Sequence, residues 1–166
     1  MASPPTVDGF DAFSPNVSTT QDLGVYRSVW EHRLPNLVTG TWDTVLACEL
    51  LEHLPEEDVD PALDVLEGAA AGRIIVSTPN GPAFRGDDGV NEYEAHRSYV
   101  PRSRLRERGY RILGAGFGAP GSFLARIEPR IRVGRDLASL SLHVPALGAA
   151  YVAYKDVGHV AGRFDA

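Results

Sequence analysis

Residues Trp42 to Pro55 read WDTVLACELLEHLP, and this stretch decides the fold. Its first half, Trp42–Cys48, is a nearly continuous apolar run of strand length, which is typical of a strand covered on both faces in a parallel sheet. Polar residues follow at once, namely Glu49, Glu52 and His53. Because open α/β sheets bind ligands beyond the carboxyl ends of their strands, the stretch predicts a buried strand that leads into a functional loop.

A βαβ unit extends from this strand toward the C-terminus. Asp60 and Pro61 begin a predicted helix, and Gly72 ends it. The apolar residues of this helix form one stripe: Ala62, Leu63, Leu66, Ala69 and Ala70. Arg73–Thr78 is a second predicted buried strand. The two strands are therefore expected to lie parallel in one sheet, connected by a right-handed crossover.

The rest of the chain continues the alternation of strands and helices. The predicted elements are a strand at Thr6–Phe13, a helix from Ser14 that Gly24 ends, a strand at Tyr26–His32, a loop at 82–98, a helix at Pro101–Arg108, a strand at Tyr110–Phe117, a partly helical segment at 122–142 and a last strand at Ala149–Lys155. This order predicts one α/β domain over residues 1–166 with a mostly parallel sheet.

Composition limits the function classes. The 16 Lys and Arg residues against 22 Asp and Glu give a net charge of −6, so nucleic acid and anionic membranes are not expected partners. The single cysteine, Cys48, excludes a disulfide framework within the chain. No apolar run approaches the roughly 20 residues of a membrane span, and the N-terminus lacks the pattern of a signal peptide. We therefore expect a cytoplasmic protein.

Glu49, Glu52 and His53 are spaced i, i+3 and i+4, which places them on one face of a helical turn. Carboxylates combined with an imidazole suit Mg²⁺, Mn²⁺ or a harder transition metal. Two other interpretations stay open. In the first, the segment Glu49–His53 only forms the floor of a ligand pocket. In the second, a histidine acts as a general base, because imidazole titrates near neutral pH. His96, in the long polar loop, is the second candidate base.

A group of arginines flanks the same loop. Its members are Arg97, Arg102, Arg104, Arg106, Arg108 and Arg111. Guanidinium groups can hold a phosphate or another acidic acceptor group. The acids of segment 55–67 favour the alternative, in which these arginines lie on a solvated helix face and pair with them.

Three segments together resemble the class I S-adenosylmethionine (SAM)-dependent methyltransferases. Trp42–Pro55 is similar to the fourth strand and the following Leu-Glu-His loop of that family. Asn91–Tyr110 is similar to the region before its sixth strand, and Val7–Asp11 is similar to its second strand. The resemblance implies a Rossmann-like sheet with an antiparallel C-terminal strand, and it implies SAM as the methyl donor.

The resemblance also implies roles for individual residues. Asp11 would bind the cofactor ribose, because a carboxylate accepts hydrogen bonds from both hydroxyls, and Cys48 and Glu49 would contact the cofactor near its methionine end. The alternatives are a loop acid that caps the next helix for Asp11 and a small buried core residue for Cys48. The Glu-x-x-Glu-His spacing is similar to that of metal-assisted methyltransferases, in which a downstream histidine joins the site. The candidate metal ligands are then Glu49, Glu52, His53 and His96.

The first strand, first helix and glycine-rich loop of the family have no counterpart ahead of Asp11. That strand lies between the second and fourth strands of the family's sheet, so without it two hydrogen-bonding edges are open. Three arrangements are expected alternatives: a start upstream of Met1, direct pairing of strands two and four, or another chain in the gap, including a homodimer partner. The predicted function is methyl transfer to a small-molecule acceptor, and the alternative is a non-catalytic binding or scaffolding subunit.

Overall fold

The computed structural model describes residues 4–82, 86, 89–115 and 142–158. The strands and helices are β1 (Asp8–Asp11), α1 (Ser14–Asp22), β2 (Ser28–Glu31), β3 (Trp42–Cys48), α2 (Val59–Ala69), β4 (Ala70–Pro79), α3 (Arg102–Glu107), β5 (Arg111–Ala115) and β6 (Ala150–Asp156). Single 3₁₀ turns span Leu51–His53, Glu56–Asp58 and Pro145–Leu147. The predicted helical segment at 122–142 lies outside the described residues except for Leu142. No described helix combines the length and the apolar character needed to cross a bilayer.

Four strands form the main sheet, in the order β3-β4-β6-β5. β3 and β4 are parallel, and β6 runs antiparallel to both of its neighbours, β4 and β5. β3, β4 and β5 therefore run in one direction and only the last strand is reversed. The prediction of a Rossmann-like sheet with an antiparallel C-terminal strand is confirmed.

Helix α2 covers one face of the main sheet. Its buried stripe packs on buried residues of β4 and β6, including Ile74, Val76 and Ala153. The predicted end of this helix at Gly72 is wrong, because the helix ends at Ala69 and β4 begins at Ala70. Ala70 already lies beside Trp42 of β3, so strand pairing starts before the glycine is reached.

Among the described residues, little covers the other face of β3. Ala47 is buried in the core, whereas Leu46 is 63% exposed and Cys48 is also exposed. The prediction of a strand covered on both faces is therefore wrong for β3, and so is the interpretation of Cys48 as a buried core residue. The reason is that the described helices α2 and α3 both pack into the core on the Ala47 face.

Strands β1 and β2 form a separate parallel pair, the N-terminal sheet. Among the described residues β1 pairs with β2 alone and β3 with β4 alone, so direct pairing of the second and fourth family strands is the wrong alternative. Side chains connect the two sheets instead. The Trp42 indole N–H donates to Asp8 Oδ2 over 2.8 Å, and the Trp30 and Trp42 rings stack with centroids 6.3 Å apart.

Candidate active site

The candidate site begins where β3 ends. Glu49 adopts a φ of 47°, in the left-handed region that side chains other than glycine rarely occupy. Ser77, at the neighbouring end of β4, stabilises this turn, because the Glu49 N–H donates to the Ser77 carbonyl over 3.0 Å. The Ser77 hydroxyl in turn donates to Glu49 Oε1 over 2.9 Å. Backbone strain of this kind concentrates at functional sites.

Glu52 lies in the 3₁₀ turn that follows, and it is only 3% exposed. Neither carboxylate oxygen makes a hydrogen bond of ordinary geometry to a described residue, although the Thr78 hydroxyl lies close enough to lower the pKa of this carboxyl. Burial raises the pKa of the Glu52 carboxyl to about 7, and the nearby carboxylate of Glu49 adds to the rise. A buried carboxyl without a well-formed hydrogen bond is rare in native proteins, and a proton or a cation would compensate its charge.

Two histidine side chains lie next to the Glu52 carboxylate. The rings of His53 and His96 meet edge to face with centroids 4.8 Å apart. One ligand atom from each of Glu52, His53 and His96 lies within 4.8 Å of the other two. Glu49 is outside this set. Of the four candidate metal ligands, the fold therefore brings three together, from positions 43 residues apart in the chain.

The loop that carries His96 is attached directly to the Glu52 turn. The N–H groups of Arg97 and Ser98 both donate to the Glu52 carbonyl, over 2.8 and 3.1 Å. The Ser98 hydroxyl donates to the Leu51 carbonyl over 3.0 Å. The sequence analysis missed Ser77 and Ser98. The position of Ser77 at the carboxyl end of a predicted strand was a usable signal, whereas Ser98 has none in the sequence.

Asp11 lies at the carboxyl end of β1, in the N-terminal sheet. Its Oδ1 accepts the Phe13 N–H over 2.7 Å, and its Oδ2 accepts the Asn16 side-chain amide over 3.1 Å. The first contact is an Asx turn, which orders the chain just before α1. Each oxygen keeps a second lone pair, so these contacts leave acceptor capacity for a ribose.

Two of the arginines around α3 make ion pairs with acids of segment 55–67. Arg104 pairs with Asp60 at 2.9 Å and with Glu56. Arg108 pairs with Glu67 at 3.1 Å and with Asp64. The prediction that these side chains pair with the acids of segment 55–67 is confirmed for both, and the pairs attach α3 to α2.

Comparisons with known proteins show which solved structures have a similar fold. The sequence matches no family model and no curated protein. A crystal structure of magnesium protoporphyrin IX methyltransferase from Synechocystis PCC 6803 with bound SAM matches 91% of the chain at 17% identity, with a TM-score of 0.52. A crystal structure of a SAM-dependent methyltransferase from Archaeoglobus fulgidus matches 90% of this chain at 14% identity, with a TM-score of 0.55. The match covers 75% of the Archaeoglobus chain.

The chain has the fold of SAM-dependent methyltransferases. It spans 59% of the length of the Synechocystis enzyme. The small RNA methyltransferase HEN1 has the same fold, matching 97% of this chain at 14% identity with a TM-score of 0.53, while the chain covers 21% of HEN1. In this methyltransferase fold the Glu52 cluster lies beyond the carboxyl ends of β3 and β4, which is where open α/β sheets bind their ligands.

Proposed function

We propose that this protein transfers the methyl group of SAM to a hydroxyl-bearing small molecule, with a divalent cation held by Glu52, His53 and His96. Solved structures with the same fold hold SAM or S-adenosylhomocysteine (SAH), which supports SAM as the donor. The observation that carries the proposal is the buried carboxyl of Glu52, which makes no hydrogen bond of ordinary geometry to a described residue and lies beside two imidazoles.

The three side chains fit a divalent cation. An unpaired buried carboxylate is costly unless a positive charge or a proton compensates it, and a cation would supply that charge. One carboxylate and two imidazoles suit Mn²⁺ or a neighbouring transition metal. When bound there, the cation would lower the pKa of a hydroxyl that coordinates it, which is the chemistry an oxygen acceptor needs.

Three residues are the proposed SAM contacts. Asp11 would accept the ribose hydroxyls through the lone pairs that its turn leaves open. Ser77 holds Glu49 Oε1, so the second oxygen of Glu49 would accept from the ammonium of the methionine part. Cys48 is exposed next to Glu49 and would contact the cofactor beside that end.

The reaction balances as an in-line displacement. The acceptor oxygen forms a bond to the methyl carbon while the carbon–sulfur bond of the sulfonium breaks, and the products are a methyl ether and SAH. Most of the acceleration comes from holding the two reactants in line. The hydroxyl proton must leave. With the cation bound it would pass to water, and in the metal-free alternative His53 or His96 would take it as the general base.

A second candidate function rests on the open edges of β1 and β3. We propose that a β-strand from outside the described residues pairs with both edges, because unpaired strand edges readily accept another strand. If a partner chain or a second copy supplies that strand, this chain is a binding or scaffolding subunit whose donor site is completed by the partner.

Calorimetry with SAH separates the two functions. We expect heat of binding for the unchanged protein and roughly tenfold weaker binding for Asp11→Asn, because the ribose loses a charged acceptor. Asp22→Asn, an exposed acid at the end of α1, is the matched control and should bind like the unchanged protein. Absence of both heat and a thermal shift contradicts donor binding by this chain and favours the subunit function.

A Mn²⁺ titration tests the cation. The electron paramagnetic resonance signal of free Mn²⁺ should fall as the protein binds it, and Glu52→Gln should weaken binding at least about tenfold. Glu57→Gln changes an exposed acid in the adjacent turn and should leave binding unchanged. Equal Mn²⁺ binding in all three proteins would exclude the site and leave the histidines as candidate bases.

A further inference from the structure

We infer that Ser98 is a positioning residue that holds His96 against Glu52 and His53. The inference rests on the proposed cation site. It starts from the distance in sequence: His96 follows His53 by 43 residues, so nothing local orients one ring against the other. The attachment of the loop near His53 is what allows the two rings to lie with their centroids 4.8 Å apart.

The attachment consists of three hydrogen bonds that meet on two consecutive carbonyls. The Glu52 carbonyl accepts from the N–H groups of Arg97 and Ser98, and the Leu51 carbonyl accepts from the Ser98 hydroxyl. Both carbonyls belong to the turn that carries two of the three proposed ligands. The loop is thus fixed to the ligand-bearing turn itself, within two residues of His96.

Ser98 contributes two of these three bonds, and one of them uses its side chain. Any residue other than proline can donate the backbone N–H, but only a side chain with a short donor can reach the Leu51 carbonyl from this position. Leu51 is completely buried, so water is a poor substitute partner at that carbonyl. Loss of the hydroxyl leaves the loop held by its backbone bonds alone.

The two ends of the loop are also ordered, which confines the effect of Ser98 to its own segment. Asn91 Oδ1 accepts the Tyr93 N–H over 3.0 Å and closes a turn at the start. The Tyr151 hydroxyl donates to the Val100 carbonyl over 2.6 Å in the buried core. Removing the Ser98 hydroxyl therefore changes the position of His96 without releasing the loop.

The test is Mn²⁺ affinity, read from the free-Mn²⁺ resonance signal. Ser98→Ala should weaken binding roughly tenfold, as is common for residues that orient metal ligands, and Ser98→Thr should restore it because the hydroxyl is kept. Thr19→Ala removes a side-chain hydrogen bond to a carbonyl on α1, at 2.9 Å, and should leave affinity unchanged.

A double-mutant cycle shows whether Ser98 acts through His96. In a His96→Gln background, Ser98→Ala should cause no further loss of affinity, because the ligand it positions is gone. An equal loss in both backgrounds overturns the inference. Faster amide exchange at Arg97 and Ser98 in metal-free Ser98→Ala is the second measurement, and unchanged exchange there also overturns it.

The outcomes separate the inference from the proposed function. If Glu52→Gln and His96→Gln leave Mn²⁺ binding unchanged, the cation site itself is wrong. If both weaken binding while Ser98→Ala behaves like Thr19→Ala, the site stands and the positioning role of Ser98 is wrong.

Discussion

The main sheet and the N-terminal sheet are held in place in different ways. In β4 alternate residues are buried along the whole strand, and the core of α2, β4 and β6 forms around them. None of the four residues of β1 is buried, and β2 buries only Val29. Since stabilisation scales with the apolar area removed from water, the main sheet is stabilised by its own core. The N-terminal sheet is stabilised by the packing of Phe10 and Trp30 against that core and by the hydrogen bond from Trp42.

The pKa values of two carboxyl groups, one at the N-terminal sheet and one beyond the main sheet, are shifted in opposite directions. At the start of β1, hydrogen bonds from Arg27 and Trp42 lower the pKa of Asp8. Beyond β3, burial raises the pKa of Glu52 to about 7. Asp8 is charged and paired, and it therefore stabilises the contact between the two sheets. Burial of the Glu52 carboxyl costs free energy, which is more typical of a ligand-binding group than of a structural one.

The largest difference should appear on shortening a leucine of α2, which packs on the main sheet, and a leucine at the end of α1, which packs on the N-terminal sheet. Leu63→Ala, in the buried stripe of α2, should lower the free energy of unfolding by about 3 kcal/mol, because it leaves a cavity in the core. Leu23→Ala, at the C-cap of α1 where the side chain is 63% exposed, should change it by less than about 0.5 kcal/mol. Urea unfolding measures both, and equal losses would show that the N-terminal sheet has a core of its own.

The pH dependence of metal-free protein should follow Glu52. Its folded pKa of about 7 lies above the ordinary glutamate pKa of 4.5, so the folded state binds the proton more tightly. The contribution of Glu52 to the free energy of unfolding is therefore fully present below about pH 4.5. It is lost as the pH rises through 7, which lowers the free energy of unfolding by about 2–3 kcal/mol. Glu52→Gln should remove this fall, and Glu57→Gln should keep it. Urea unfolding at pH 5 and pH 8 with a chelator measures the slope, and an identical slope in all three proteins would contradict it.

Trp42→Phe should loosen the N-terminal sheet selectively. The substitution keeps an aromatic ring but removes the N–H that donates to Asp8, leaving a charged group with one partner fewer. Amide exchange should become roughly tenfold faster in β1 and β2 and stay unchanged in β4 and β6. Trp30→Phe is the control, because it keeps an aromatic ring against Trp42 and leaves the Trp42 hydrogen bond to Asp8 in place. Uniformly faster exchange would mean that the two sheets open as one unit.

The smallest effect is expected at the open face of β3. Leu46→Thr should change the free energy of unfolding by less than about 0.5 kcal/mol, because a side chain that is 63% exposed loses little burial. A loss above about 1.5 kcal/mol in urea unfolding would show that another part of the protein covers this face.

The sequence predicted the strand and helix pattern well where periodicity was clear. The strand at Trp42–Cys48 was predicted with the bounds that the structure has, and the stripe of α2 was predicted almost residue for residue. The boundary between α2 and β4 was missed, because pairing of Ala70 with Trp42 takes precedence over the helix signal that runs to Gly72. The exposure of Cys48 was missed as well, since an apolar run does not show which faces will be covered.

The sequence by itself determined the βαβ unit and the spacing of Glu49, Glu52 and His53, because these depend on local periodicity and on short connections. The antiparallel last strand was implied by the resemblance to the methyltransferase family. Only the tertiary structure decided that Glu52 is buried without a well-formed hydrogen bond from a described residue, that His96 meets His53, and that Glu49 lies outside their cluster. It also decided that β1 and β3 stay apart. These features depend on contacts between residues far apart in the chain, and the packing of the core selects those contacts rather than any local pattern.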